Sequence, residues 1–314
     1  MSLPPLFDTL RVPVIGAPLF IISHPALVIA QCKAGIVGSF PALNARPQSQ
    51  LDEWLAEITE ALAKHDAENP DNPSAPFAVN QIVHTTNTRW EEDLVTCEKY
   101  KVPIVITSLG AREELNTAVH GWGGITLHDI INNRFAHKAL DKGADGLIAV
   151  AAGAGGHAGK LSPFALIQEI REFFDGPLFL SGAIAHGGAV MAAQAMGADG
   201  AYIGSPFIAT HEARAMDDYK QEIVDSGADD IVGSSLFTGV YGNYLKGSIR
   251  KAGMDPDTLP EADPSSMNFG GAKAWKDIWG SGQGIGAVKE IMGAGDLVAR
   301  LAEEYSEAKA RLCA

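Results

Sequence analysis

Cysteine is scarce in this 314-residue chain: Cys32, Cys97 and Cys313 stand far apart, and no CxxC pair occurs. Neither a disulfide framework nor a cysteine zinc site is expected, and the pattern fits a reducing compartment. Positive charge is also in deficit, with 24 Lys and Arg against 38 Asp and Glu and a net charge of −14. That balance excludes a broad surface for nucleic acid or anionic membrane. No apolar run approaches the roughly 20 residues of a membrane span. The start, MSLPPLFDTLRVPV, lacks the basic opening and apolar core of a secretion signal. Low-complexity tracts are missing too. The expectation is a soluble cytoplasmic protein whose partners are small molecules.

What is present is a large apolar content, 46% of residues, enough for a sizeable core. Short β-branched runs at 12–19, 35–42, 77–83, 102–109, 124–130, 146–152, 177–183 and 200–207 alternate with amphipathic stretches. The runs are apolar on both faces, as buried parallel strands are. The stretches between them carry apolar residues three and four apart, and several stop at glycine: Gly121, Gly143, Gly197. Eight such βα units in one series predict an α/β fold, a TIM (β/α)8 barrel. Residues 1–210, completed by 276–314, form the barrel on this reading. The irregular stretch 211–275 is read as an inserted helical lid over its mouth.

Barrel chemistry sits at the C-terminal ends of strands. Here those ends read GAPLF, SFPA, VNQIVH, TSLG, LHD, AAGAGGH, SGAIAHGG and GSPF, small and polar where the strand bodies are apolar. The sixth is the most distinctive. Gly153–Ala158 formally satisfies a dinucleotide fingerprint, but the helix signal comes later, at Ser162 as N-cap and Pro163 as first helical residue. No acidic residue ends the following strand, where one would hold a ribose, so the dinucleotide reading fails. Gly155, Gly156 and Gly159 instead permit close approach to a flat ligand. His157 is the one side chain in the run able to move a proton near neutral pH, and it is the candidate catalytic residue.

The seventh and eighth strand ends supply the other candidate. Ser181, Gly182 and Ala183, with Gly204 and Ser205, could cradle a phosphate monoester on backbone N–H groups and the Ser205 hydroxyl, without any lysine.

These segments resemble a known family. PVIGAPLF, VNQIV, GADGLIAVAAGAGGHAG, SGAIAHGG, GADGAYIGSPFIAT and WGSGQGIG are similar to stretches of the nitronate monooxygenases, once called 2-nitropropane dioxygenases. The resemblance spans nearly the whole chain. It implies a TIM barrel with an inserted helical domain, non-covalent FMN, and oxidation of alkyl nitronates by molecular oxygen. It further implies that Ala17, Pro18 and Leu19 lie along the flavin ring and that Asn80 bonds its polar edge. Gly182, Ala183, Gly204 and Ser205 would hold the phosphate, Gln283 and Gly284 would close over the ring, and His157 would face the substrate. Leu127 and His128 stand where relatives carry a different flavin contact. The stretch FTGVYGNYLKGS matches nothing assignable; its Tyr241, Tyr244 and Lys246 are secondary anion contacts or plain surface.

Relatives on the same barrel reduce quinones or enoyl thioesters with NAD(P)H and also carry a GGH loop, so that alternative stays open. So does a flavin-binding scaffold without turnover. The partners expected are a small-molecule substrate and O2, with room for a homodimer.

Overall fold

The computed structural model describes residues 3–260 and 276–313. Each of the eight apolar runs contains a strand: β1 (Val14–Gly16), β2 (Gly38–Pro41), β3 (Phe77–Ile82), β4 (Ile104–Ser108), β5 (Ile125–Ile130), β6 (Gly146–Val150), β8 (Leu178–Ser181) and β9 (Gly200–Ile203). They form one sheet in the order β1-β9-β8-β6-β5-β4-β3-β2, and every pairing is parallel. A parallel bridge between Ile15 and Val37 joins β1 to β2 and closes the ring. The fold is a TIM barrel.

Helices α1 (Pro25–Lys33), α2 (Gln50–Glu68), α3 (Trp90–Lys99), α4 (Glu113–Gly121), α5 (Asn133–Asp141), α6 (Pro163–Arg171) and α7 (Gly187–Ala195) follow the first seven barrel strands. The short α8 (Ser205–Ile208) follows β9. Gly143 and Gly197 take the left-handed conformation that ends a helix, at φ 88° and 111°. After α4 that role falls to Gly123 (φ 86°), because Gly121 is still helical. Ser162 does stand at the N-cap of α6 ahead of Pro163, but its side chain makes no capping hydrogen bond.

Alternate strand residues point inward. Ile15, Val37, Ala78, Ile106, Leu127, Ile148, Phe179 and Tyr202 fill the barrel axis. Phe7, from a helical turn ahead of β1, packs against Phe179 with ring centroids 5.5 Å apart. The outward-facing residues of the same strands pack under the helices in two larger clusters. The closing helix α11 (Ala294–Cys313) lies against α7 and α1.

Beyond Thr210 the structure differs from a purely helical segment. Helices α9 (Asp217–Asp225) and α10 (Lys246–Lys251) are present, but between them β10 (Ile231–Ser234) and β11 (Gly242–Leu245) form an antiparallel hairpin. The free edge of β11 pairs with β7 (Gly156–His157), so the glycine loop is the third strand of a small sheet. The partner of β11 lies far away in sequence, and no local period announces such a pairing. Residues 261–275, the last part of the expected lid, lie outside the described residues. Among the described residues no helix is long and apolar enough to cross a membrane.

The axial packing makes a testable claim. Phe179 is fully buried inside the barrel, so Phe179→Ala should lower stability by about 3–5 kcal/mol. Urea denaturation measures it, and a near-wild-type midpoint would contradict the packed interior.

Candidate functional site

One step beyond the apolar plug, the inward positions turn polar: Asn80 on β3, Ser108 on β4, Asp129 on β5 and Ser181 on β8. The first three are wired together. The Asn80 amide donates to the Ile106 carbonyl at 3.1 Å and to Ser108 Oγ at 2.8 Å. Ser108 Oγ donates to Asp129 Oδ2 at 2.5 Å. Both amide hydrogens of Asn80 are therefore engaged, and its Oδ1 is the atom left to accept from a ligand. Burial pushes the Asp129 carboxyl up to about 6, against the opposing pull of Ser108 and the Leu109 N–H. Burial of the Tyr202 phenol, with the Asp129 charge as a lesser cause, raises it well above its ordinary value.

Sequence reasoning passed over Ser108, Asp129 and Tyr202. The signal was available in strand parity, since Ser108 follows Ile106 and Asp129 follows Leu127 at the two-residue inward period. Leu127 itself belongs to the axial plug. His128, one residue on, faces the helix side, bonded through Nδ1 to the Thr107 hydroxyl and pushed down to about 4 by burial. Asp129 is the residue this strand presents to the mouth.

Gly155, Ser181, Gly182, Ala183, Gly204, Ser205 and Gly284 line a single cavity at the strand ends, with Tyr202 at its base. The structure thus brings together residues that are far apart in sequence. A Cβ on Gly155 would lie 2.6 Å from Gly282 N and 2.9 Å from Ser205 Oγ; one on Gly284 would lie 2.5 Å from the Ala183 carbonyl oxygen. Among the described residues, the N–H groups of Gly182, Gly204 and Ser205 have no backbone acceptor. Ser205 Oγ accepts from the Gly282 N–H at 2.9 Å and keeps its own proton to give. Ala183 is a correction. Its N–H donates to the Gly153 carbonyl at 3.1 Å, so it shapes the wall, at a left-handed φ of 54°, but does not offer an N–H to an anion.

The remaining expected contacts fall around this cavity. Gln283 donates its N–H to Gly153 O at 2.9 Å and opens a short helical turn to Ala287. Ala17 and Leu19 border Gly204, 3.4 Å and 3.2 Å from where its Cβ would stand. Their N–H groups go to Ile203 O (2.8 Å) and Ser23 Oγ (2.9 Å), and Pro18 has none. That stretch therefore offers a ligand carbonyl oxygens and apolar surface only. Gly156 lies outside the cavity, in β7, at a left-handed φ of 64°.

His157 lies in the short strand β7. It pairs with Gly242, while Gly156 pairs with Asn243. The Ala158 N–H reaches Tyr241 O at 3.1 Å, and the Asn243 amide donates to Ala154 O at 2.7 Å. Nε2 of His157 lies 3.1 Å from Thr238 Oγ1. Burial pushes the imidazole down to about 4, so at neutral pH it is an uncharged proton acceptor, not a cation. Nearby, Tyr244 is wholly buried, the Lys160 ammonium stands 4.5 Å over the Tyr241 ring, and Lys246 pairs with Asp257 at 3.4 Å.

Fold and rim together define a TIM barrel with a cavity at its C-terminal mouth. A sequence model of the nitronate monooxygenases matches residues 5–304, and the chain belongs to the nitronate monooxygenase family of oxidoreductases. It is 25% identical to a nitronate monooxygenase of Neurospora crassa, over 96% of this chain and 91% of that protein. It is also 25% identical to an octahydro-indene-carboxyl-CoA dehydrogenase of Rhodococcus jostii, over 73% of this chain and 61% of that longer protein. Among solved structures it resembles nitroalkane oxidase from Streptomyces ansochromogenes, with a TM-score of 0.81, 24% identity and coverage of 98% and 99% of the two chains. The family implies a flavin cofactor.

Asp129 carries a pH signature. Its raised folded value, about 6 against 3.8, means that the carboxyl costs no stability below about 3.8, lowers stability progressively as pH rises from 3.8 to about 6, and imposes its full loss above that. Asp129→Asn, a neutral mimic, should raise Tm of the flavin-stripped protein at pH 7.5, and the gain should shrink toward pH 4. Equal changes at both pH values would show that the carboxyl is not held toward its acid form.

Proposed function

We propose that this protein binds FMN across the barrel mouth and oxidises alkyl nitronates, and nitroalkanes through them, with molecular oxygen. The carrying observation is the combination of a lysine-free anion cradle with an uncharged histidine on the same glycine loop. The residues fit the cofactor. N–H groups at Gly182, Gly204 and Ser205 suit a phosphate monoester, and a Cβ at Gly155 would collide with the cradle wall. Asn80 offers an acceptor for a ring N–H, and Ala17–Leu19 with Gln283 and Gly284 offer flat, mostly apolar walls.

When bound, the flavin supplies the electron transfer. The chain supplies the rest. His157 is neutral at pH 7 and takes the proton from the carbon beside a nitro group, giving the nitronate. A substrate that arrives as nitronate needs no such step. Residues 1–210 and 276–314 form the barrel on this proposal, and 211–275 covers its mouth. The Rhodococcus relative supports a second reading, an FMN-dependent NAD(P)H reductase of quinones or enoyl thioesters, since that protein is a dehydrogenase of a CoA thioester.

Purified protein should be yellow, and the chromophore released by heat should chromatograph as FMN; recovery of FAD, or of no flavin after reconstitution, sinks the cofactor assignment. Anaerobic mixing separates the two readings: a nitronate should bleach the flavin and NADH or NADPH should not.

The role of His157 is read from two substrates. His157→Asn should lower kcat/KM for a nitroalkane by about 10²–10⁴-fold, the usual span for a lost general base, and for its nitronate much less. The wild-type acid limb on the nitroalkane should fall near pH 4, the value to which burial pushes the imidazole, because the base fails only when protonated. Near-wild-type rates on both substrates would make His157 a bystander.

A further inference from the structure

We infer that Thr238, in the stretch FTGVYGNYLKGS that the sequence left unassigned, is the positioning residue that fixes the proton of His157 on Nε2. The inference rests on the proposed role of His157 as a base. Thr238 has one hydroxyl proton and is 2% exposed. Its Oγ1 stands 3.1 Å from the Val240 carbonyl oxygen and 3.1 Å from His157 Nε2, with the Tyr244 hydroxyl at 3.5 Å. A carbonyl oxygen can only accept, so the threonine proton goes to Val240. The hydroxyl oxygen then faces the imidazole as an acceptor. A neutral ring must present N–H to it, which puts the proton on Nε2 and the lone pair on Nδ1.

The backbone reinforces this choice. β11 follows Thr238 closely, and its pairing with β7 fixes where the His157 Cα stands relative to the hydroxyl. The Asn243 amide anchors the preceding Ala154 carbonyl at 2.7 Å. Ring orientation and tautomer are thus set from one segment, the pattern of an imidazole whose second nitrogen is held by an oriented partner.

The test compares Thr238→Val, which keeps the shape and removes the hydroxyl, with Thr238→Ser, which keeps the hydroxyl, both as flavin-loaded protein. The ¹⁵N shifts of His157, assigned against His157→Asn, report the tautomer directly. Wild type and Thr238→Ser should show protonated Nε2. Thr238→Val should show a mixture of tautomers, with kcat/KM for a nitroalkane reduced at least about 10-fold and that for its nitronate little changed. An unchanged His157 tautomer in Thr238→Val overturns the inference. So does equal loss on both substrates without rescue by serine, which marks a structural role. A shifted tautomer with unchanged nitroalkane turnover upholds the positioning by Thr238 and overturns the base role of His157 instead.

Discussion

The carbonyl oxygen of Gly153 accepts two N–H groups, from Ala183 at 3.1 Å and from Gln283 at 2.9 Å, and so ties three loops to one atom. Those loops follow β6 and β8 and precede α11. Backbone meets backbone: a Cβ on Gly282 would stand 2.7 Å from Gly153 O, and one on Gly182 2.7 Å from Ala152 O. Close approach of this kind requires glycine, and it leaves N–H groups, not side chains, facing the cavity. The cavity wall at Gly155, Ala183 and Gly284 and the start of the His157 strand inherit their positions from that junction. Strain sits in other strand-end loops as well as at this junction. Ile21, Leu109 and Ala183 are left-handed non-glycine residues, each in a loop after a barrel strand, a cost of about 1–3 kcal/mol apiece that the surrounding packing must offset.

A second consequence is electrostatic. No lysine or arginine lines the cavity among the described residues, so a phosphate there would be held by oriented dipoles. Burial keeps His157 uncharged at neutral pH and holds Asp129 toward its acid form, each by making the charged state costly. At neutral pH, above the value of about 6, Asp129 is mostly ionised, so the mouth carries its negative charge within a chain of net charge −14. Negative charge that develops on a substrate meets neutral donors and acceptors, except at Asp129, which opposes it once ionised. Asp129 thus couples the charge of the site to pH in the range where the carboxyl titrates.

The barrel was legible because its signal is local and repeated. Eight runs apolar on both faces, separated by amphipathic stretches, allow few other folds, and the glycines at strand ends pointed to the rim. The grouping of Gly182, Gly204 and Ser205 was legible for the same reason, and they line one cavity at the strand ends. What escaped notice depends on contacts between distant segments. Ala183 looked like an anion donor until its N–H was found engaged by Gly153. Nothing in GAGGHAG shows that its partner strand begins at Gly242. Asp129 and Ser108 lay in plain view in LHD and TSLG, and only their inward parity distinguishes them from rim polarity of no consequence.

The hairpin after Thr210 changes what the glycine loop is for. Flexible glycines alone would leave His157 many orientations, and catalysis by a base needs one. Here the flexibility serves a different end: Gly156 takes a φ of 64° so that the chain can turn into register with β11. The orientation then comes from outside the loop, from Thr238 and from main-chain pairing with Gly242 and Asn243. Placement of the His157 ring and presence of this segment are one condition. If the segment moves away, the same motion removes the hydrogen-bond partner of Nε2 and the strand that aims the ring. On the proposed role of His157, proton abstraction would require the arrangement in which the segment lies against the loop.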